Sequence, residues 1–390
     1  MMKALVAIDS FKGCLSSVQA GQAALDAFPE GDDVGVVPVS DGGEGFSAIL
    51  TEALGGVFRT VDCHDPLGRR IKARYGLVNG GKTAVIETAA ASGLGLLRKE
   101  ELNPLAATSF GTGELMADAL GQGVVEIWLG LGGSATCDGG TGLLRALGFS
   151  FPDCGGFPDG YGFPHSSSPL IEPGECGPFT GGKGVSSRCG GLLGRCRITG
   201  FYDVSVPFCG SGGAARMFAP QKGATPEMTE ALDARLARVS KAYSAYSGKE
   251  IICCPGAGAA GGIGGALYGV LGASMVQGID KVLELTGFGR RLESCDLVVT
   301  GEGKADAQTL RGKVPFGVLE YVRRHSISRE SPPVVLLAGK VSDKESLKSA
   351  GFASVLQVTP DGTPLPDALD PVFARANITR ALRYFLTSAF

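Results

Sequence analysis

The feature that most constrains the fold is a strand–helix rhythm that occupies both ends of the chain and is missing between them. Residues 3–8 form a short apolar run that ends at Asp9, and a second run covers residues 34–39. Between the two runs, Ser16 and Gln19 have the spacing of a capping box that opens a helix. Three more short apolar runs return only near the end of the chain, at residues 297–300, 334–338 and 355–358. Runs of this kind are typical of parallel strands that are buried on both faces.

The two ends of the chain are therefore expected to share one sheet. A chain of 390 residues exceeds the usual size of a single hydrophobic core, which favours two domains. We predict an α/β protein whose termini, residues 1–50 and 288–390, build a flavodoxin-like parallel five-stranded sheet of order 2-1-3-4-5. Residues 51–287 are then an inserted second α/β domain.

Charge and hydropathy indicate a small-molecule partner. The 36 basic and 39 acidic residues give a formal charge of -3, which offers no footprint for nucleic acid or an anionic membrane. Residues 256–276 carry no charge, but eight of them are glycine, so we predict a glycine-rich loop and helix and not a membrane span. The first residues lack the apolar stretch of a signal peptide. We expect a cytoplasmic protein, as a monomer or a homodimer.

The eleven cysteines lack the paired CxxC spacing of a zinc ribbon or redox site. Most are expected to be reduced thiols in small apolar gaps. A metal or disulfide clip stays open as an alternative, because one Gly- and Ser-rich stretch holds His165 and five cysteines: Cys154, Cys176, Cys189, Cys196 and Cys209. Residues 151–200 are the part of the chain with no readable periodicity. His64, His165 and His325 belong to no strong constellation and are expected to be structural.

Two nucleotide-binding patterns occur in contexts that do not suit them. Residues 76–83 match the P-loop pattern, yet a β-type run follows at 83–87 where a P-loop requires a helix, so we predict a hairpin turn. Residues 256–261, GAGAAG, match the dinucleotide fingerprint after an apolar segment, although Pro255 interrupts the junction. This second pattern leaves one alternative open, an NAD(P)-dependent hydroxy-acid dehydrogenase.

Glycine-flanked carboxylates and lysines follow several of the predicted strands. Phosphoryl transfer requires amides and cations around phosphates, carboxylates for Mg²⁺ and a group that orients the accepting hydroxyl. Loops with these residue types occur at 9–13, 41–45, 130–140 and 301–306, with Lys313 beyond the last of them. Open α/β sheets bind ligands at the carboxyl ends of their strands. These loops predict an α/β enzyme that handles phosphate.

Eight segments, in order along nearly the whole chain, resemble the bacterial-type glycerate kinase family (glycerate 2-kinase, type II). They are DSFKG at 9–13, SDGGEG at 40–45, DPLGR at 65–69, NPLAATSFGTGEL at 103–115, GLGGSATCDGG at 130–140, APQKGATPEM at 219–228, PGAGAAGG at 255–262 and TGEGKADAQTLRGKVP at 300–315. The resemblance implies ATP- and Mg²⁺-dependent phosphorylation of D-glycerate, with 2-phosphoglycerate favoured over 3-phosphoglycerate. A non-catalytic sugar-acid-binding protein is the remaining alternative.

The resemblance and the chemistry together assign hypothetical roles to residues of these segments. The catalytic candidates are Asp306 or Asp41, to orient the hydroxyl, with Lys12 and Lys313 as cations near the transferred phosphate. Candidates for binding glycerate are Ser10, Lys12, Arg69 and Glu44. Those for the ATP phosphates are Gly132, Gly133, Ser134, Ala135 and Thr136, and those for Mg²⁺ are Asp138, Asp203 and Glu302.

The chain departs from the family pattern at four positions. The family usually has Asn at the place of Cys137, Arg at that of Lys304 and a bulky apolar residue at that of Ala305. It also tends to have Asn where Val206 stands. We expect the nucleotide loop at 130–140 and the acidic loop at 301–306 to be tuned differently from those of the family.

Overall fold

The computed structural model describes residues 1–149, 191–326 and 331–389. Within them the chain divides into two compact units, Met1–Asp41 with Gln277–Phe390, and Gly42–Val276. The first change of unit falls inside the SDGGEG segment. The predicted domain limits, after residue 50 and before residue 288, stay predictions. His165, Cys154, Cys176 and Cys189 lie outside the described residues.

The strands are numbered along the chain. They are β1 (Lys3–Ile8), β2 (Asp33–Val36), β3 (Val57–His64), β4 (Arg70–Val78), β5 (Thr83–Glu87), β6 (Glu126–Gly130), β7 (Arg197–Tyr202), β8 (Ser274–Gln277), β9 (Leu297–Ala305), β10 (Val334–Val341) and β11 (Ser354–Gln357).

The helices are numbered in the same way. They are α1 (Ser17–Leu25), α2 (Phe46–Ala53), α3 (Ala89–Ser92), α4 (Phe110–Gly121), α5 (Thr141–Ala146), α6 (Ala214–Phe218), α7 (Pro226–Ser247), α8 (Ala259–Gly269), α9 (Gly278–Leu285), α10 (Phe288–Leu292), α11 (Val314–His325), α12 (Lys344–Ser349), α13 (Leu365–Ala368) and α14 (Pro371–Ala389).

The first unit contains the predicted sheet. Its five parallel strands have the order β2-β1-β9-β10-β11, which confirms the flavodoxin-like order 2-1-3-4-5 and the contribution of both termini. Side chains of a strand alternate between the two faces. Ala4, Val6 and Ile8 therefore join one core, which includes residues of α1 and α14, while Leu5 and Ala7 join another, which includes residues of α9 and α11. Burial on both faces explains why these strands read as unbroken apolar runs.

The start of α1 confirms its sequence signal. The Ser16 hydroxyl accepts a hydrogen bond from the Gln19 amide at 3.3 Å, and the Gln19 side chain accepts one from the Ser16 amide at 2.9 Å. This capping box satisfies two amides that the helix itself leaves without partners. It fixes where the chain turns after the first strand.

The second unit is the inserted α/β region. Its six strands have the order β3-β4-β5-β6-β7-β8, antiparallel from β3 to β5 and parallel from β5 to β7. Residues of α4, α5, α7 and α8 pack with this sheet in one hydrophobic core. Thr225 followed by Pro226 predicts a helix start, with threonine as the cap and proline at the first helical position. The helix is present as α7, with the Thr225 hydroxyl accepting from the Met228 amide at 3.3 Å.

The uncharged stretch at 256–276 forms α8, a turn and most of β8. Within the residues that the structure describes, no helix has the length and hydropathy needed to cross a membrane.

Candidate functional site

Three carboxylates gather at the carboxyl edge of the five-stranded sheet. Asp9 follows β1, Asp41 follows β2, and Glu302 lies on β9. Ile8 pairs with Gly301, and the Asp9 amide donates to the Gly301 carbonyl at 2.9 Å, so Asp9 lies beside Glu302. All three are less than a tenth exposed. The sheet therefore brings Asp41 and Glu302, two predicted site residues, to one edge.

Asp9 is the member of this group to which the sequence analysis gave no role. Its burial, followed by the nearby charge of Asp41, raises its pKa well above the usual range. The Ser10 amide, which donates to the Asp9 carboxylate at 2.7 Å, and the charge of Lys12 act in the opposite direction. A buried carboxyl with a perturbed pKa at a strand end is a candidate for chemistry. The sequence did contain a signal for Asp9, because it directly precedes Ser10 and lies close to Lys12, both of which were predicted site residues.

Glu302 is held by two partners. The Thr309 hydroxyl donates to one carboxylate oxygen at 2.5 Å, and the ammonium of Lys313 lies 3.3 Å from the other. Lys313 occupies the N-cap position of α11. Burial is the main reason that the pKa of Glu302 is raised. The structure thus pairs two predicted site residues, one proposed for Mg²⁺ and one for phosphate.

The acidic loop predicted at residues 301–306 is wrong in part, because most of these residues belong to a strand. The sequence analysis took residues 301–306 as a loop that leaves a short strand, whereas β9 continues through Ala305. Lys304 pairs with Lys340 of β10, so the strand is held by a neighbour and not by its own propensity. Only Asp306 follows the strand. Its carboxylate lies 3.0 Å from the ammonium of Lys304, whose hydrogen bond is the main cause of its lowered pKa.

Ser10 and Lys12 complete this edge of the first unit. The Ser10 hydroxyl is buried and has no hydrogen-bond partner within residues 1–149, 191–326 and 331–389. An unsatisfied buried hydroxyl costs free energy unless a ligand or water provides a partner. Ser10 and Lys12, two of the four residues predicted to bind glycerate, lie in the loop that also contains Asp9.

In the second unit, the predicted nucleotide loop leaves β6 at Gly130 and enters α5 at Thr141. Gly133, Gly139 and Gly140 have φ values of +66°, +70° and +77°, which side chains other than glycine rarely adopt. A Cβ atom on Gly132 would lie 2.3 Å from the Cα atom of Gly43, so the loop packs closely on the SDGGEG segment. Gly133 is exposed, while Ser134, Ala135 and Thr136 are buried.

Asp138 holds this loop from within. One carboxylate oxygen accepts from the Ser109 amide and hydroxyl, both at 2.8 Å, and from the Gly142 amide at 3.2 Å. The other oxygen accepts from the Gly140 amide at 3.0 Å. The side chain is fully buried. These four donors surround a carboxylate for which the sequence analysis predicted a role in binding Mg²⁺.

Lys222, from the segment APQKGATPEM, contacts the same loop. Its ammonium donates to the Ser134 hydroxyl at 2.9 Å and to the Thr136 carbonyl at 2.7 Å. The residue is 3% exposed, and burial lowers its pKa. A lysine 86 residues away in sequence from Thr136 thus supports the predicted phosphate loop.

The remaining predicted site residues have other surroundings. The guanidinium of Arg69 donates to Asp65 at 2.5 Å and to Glu101 at 2.9 Å, in two ion pairs that hold its own loop. Glu44 is exposed, and Asp203 follows β7 in a bend. Their predicted roles in binding glycerate or Mg²⁺ stay predictions.

The structure bears on both nucleotide-binding patterns of the sequence. β4 and β5 form the predicted hairpin, with Asn79, Gly80 and Gly81 at positive φ in its turn. Residues 251–254 form no strand before the GAGAAG segment, so the strand–turn–helix context of a dinucleotide site is missing there. Cys196 and Cys209 of the proposed clip are free thiols. Among the described residues, no group of His, Cys, Asp or Glu is arranged to hold a metal ion.

Comparison with known proteins decides the family. A sequence model of the glycerate kinase family matches residues 4–387. The chain belongs to the glycerate kinase family. It is 37% identical to a glycerate kinase of Bacillus subtilis over 95% of this chain and 93% of that one. It is 38% identical to the glycerate 2-kinase of Escherichia coli over 98% and 96% of the two chains.

A solved structure agrees with this membership. The crystal structure of putative glycerate kinase 2 from Salmonella typhimurium LT2 superimposes with a TM-score of 0.75 at 36% identity, covering 99% of this chain and 98% of that one. The chain is therefore an enzyme, a kinase of the glycerate kinase family, whose members use ATP.

Two of the four positions that depart from the family pattern are buried. Cys137 and Ala305 are fully buried, and burial raises the pKa of the Cys137 thiol. Lys304 makes the ion pair with Asp306, a contact that an arginine also forms. The Val206 carbonyl accepts from the Gly258 amide at 3.0 Å, which ties the β7 loop to the GAGAAG segment.

Proposed function

We propose that this enzyme transfers the γ-phosphoryl group of ATP to the 2-hydroxyl of D-glycerate, giving 2-phosphoglycerate and ADP. The observation that carries the proposal is the family match, which extends from residue 4 to residue 387 and covers both units. A relative named glycerate 2-kinase, identical at 38% of positions, supports the 2-position over the 3-position.

The nucleotide phosphates are assigned to the loop of residues 132–136. Gly132 and Gly133 leave its backbone accessible, and the Lys222 ammonium, which donates to the Ser134 hydroxyl, supplies a cation at the buried side of the loop. Backbone amides and a cation are the groups that stabilise charge on a phosphoryl group as it is transferred. The donor set therefore fits a triphosphate.

The acceptor is assigned to the sheet edge of the first unit. Asp306 is the candidate to orient the glycerate hydroxyl, because its ionised carboxylate follows β9 at the carboxyl edge of the sheet and can accept a hydrogen bond from that hydroxyl. Lys12 and Lys313 are the candidates for the carboxylate of glycerate and the transferred phosphate. Asp9, with its raised pKa, joins Asp41 as a further candidate near the hydroxyl.

The Mg²⁺ that accompanies ATP in phosphoryl transfer neutralises charge on the phosphate oxygens. Asp203 in the second unit and Glu302 in the first remain separate candidates for binding it, directly or through water. We assign Asp138 to loop positioning instead, since four protein donors already occupy its two oxygens. A cytoplasmic location and a monomeric or dimeric state remain predictions.

A coupled assay for ADP tests the proposal. The full chain with Mg-ATP should release ADP only when D-glycerate is added, and L-glycerate should support a much lower rate. ADP release at the same rate with and without D-glycerate would contradict the assignment. Glycerate binding without ADP release would favour the non-catalytic sugar-acid-binding protein, and reduction of NAD(P) would favour the dehydrogenase.

A further inference from the structure

Lys222 is a buried cation with no carboxylate in direct contact. Its ammonium has three N–H donors, of which two bond to the Ser134 hydroxyl and the Thr136 carbonyl. It forms no ion pair within the residues that the structure describes. Both acceptors are neutral, and burial of an ammonium without an anion is strongly unfavourable. The ammonium is thus buried and has one donor without an acceptor among the described residues.

Asp138, the carboxylate that acts electrostatically on Lys222, does not supply that acceptor. Asp138 contributes to the electrostatic environment of Lys222, but its two oxygens accept hydrogen bonds from Ser109, Gly140 and Gly142. Its carboxylate is directed to α5 and to the turn before α4. The positive charge of Lys222 is therefore compensated only at a distance.

A second observation at the same place is independent of Lys222. The Thr136 hydroxyl is buried and has no hydrogen-bond partner in the described part of the chain. A valine would fill the same volume without leaving a hydroxyl unsatisfied. The Lys222 ammonium donates to the Thr136 carbonyl and keeps one donor without a partner. Two unused donors, one on Lys222 and one on the Thr136 hydroxyl, are thus associated with Thr136.

We propose that the Lys222 ammonium and the Thr136 hydroxyl form an anion subsite that takes a phosphate group of the nucleotide. This inference rests on the proposed function and assigns the phosphate to two side chains. A phosphate oxygen accepts from both donors, and lysine is a compact cation suited to that contact. Because Thr136 is fully buried, the phosphate reaches its hydroxyl by displacing the exposed start of the loop at Gly133, while the Thr136 backbone stays packed against Gly261.

The deciding variant is Thr136→Val, compared with Thr51→Val. Thr51 carries another buried, unpartnered hydroxyl, in α2 of the same unit. Neither valine removes a protein hydrogen bond, so both variants should fold with unchanged or higher thermal stability. Titration calorimetry with the ATP analogue β,γ-imido-ATP and Mg²⁺ should show at least about tenfold weaker binding for Thr136→Val and no change for Thr51→Val.

Two further measurements separate this subsite from a purely structural role. Adenosine, which has no phosphate, should bind Thr136→Val as it binds the wild type. Lys222→Met should weaken β,γ-imido-ATP by more than Thr136→Val does, and if Lys222→Met does not fold, Thr136→Val alone decides. Wild-type affinity for the analogue in Thr136→Val would overturn the subsite. Failure of the wild type to bind the analogue would overturn the proposed function as well.

Discussion

Replacing Gly261 by alanine should destabilise the second unit far more than an alanine at a glycine of the same conformation. Gly261 has a φ of +66°, and a Cβ atom there would lie 1.9 Å from the Thr136 carbonyl oxygen and 2.9 Å from the Cys137 Cα atom. These are backbone atoms of the nucleotide loop and cannot rotate away. Gly272 has the same φ of +66° with no atom within 4 Å of a Cβ position.

Both substitutions carry the backbone cost of a left-handed alanine, and only Gly261→Ala also carries a steric cost. A left-handed conformation costs an alanine about 1–2 kcal/mol at either position. Forcing a methyl group into a filled space adds about 1–3 kcal/mol at Gly261 alone. We therefore expect a loss of about 2–5 kcal/mol for Gly261→Ala and about 1–2 kcal/mol for Gly272→Ala.

Urea unfolding followed by tryptophan fluorescence measures the difference. Trp128 is the only tryptophan of the chain and lies in β6, so its signal reports the second unit. Gly261→Ala should also weaken nucleotide binding, because it displaces the Thr136 carbonyl that Lys222 contacts. Equal losses of stability in the two variants would show that the loop relaxes freely, and would refute the close packing inferred here.

Three other changes have defined outcomes. Ala260 adopts a φ of +52°, so Ala260→Gly should raise the free energy of unfolding by about 1 kcal/mol, and an unchanged urea midpoint would contradict this. The raised pKa of Asp9 means that stability falls as pH rises from about 3.9 through the folded-state value. Asp9→Asn should remove the part of that fall that Asp9 causes, leaving the part due to Glu302, and add on the order of 1 kcal/mol at neutral pH while lowering activity. A pH dependence of the unfolding free energy equal to that of the wild type would contradict the role of Asp9. Asp306→Asn, which keeps the shape but not the charge, should lower kcat by about tenfold or more with a smaller change in KM, and activity within about threefold of wild type would remove it from the mechanism.

The fold was predictable because its signals are local. The apolar run at residues 3–8, the capping box at Ser16 and the cap at Thr225 each appear where the sequence places them. The order of the sheet followed from the return of the same rhythm near the end of the chain. Local propensity failed at β9, where residues 301–305 read as a loop because glycine and charged residues are depleted in strands. Pairing with β10 overrides that preference.

The site was less predictable because its geometry depends on distant pairs. Nothing in the sequence near Asp138 shows that Ser109 and the start of α5 surround its carboxylate. The same holds for Lys222, whose partner Ser134 is 88 residues away. Burial, which changes the pKa of Asp9, is also a property of the assembled sheet. Sequence identified the loops, while the structure was needed to assign their side chains.

The most direct test of the central claim is the identity of the product. Wild-type protein should be incubated with Mg-ATP and D-glycerate, and the product examined by phosphorus and carbon NMR. We predict a phosphomonoester whose phosphorus couples to the carbon at position 2 of glycerate, formed together with ADP. A phosphate on the 3-hydroxyl would contradict the assigned position, and the absence of any phosphorylated glycerate would contradict the proposed function.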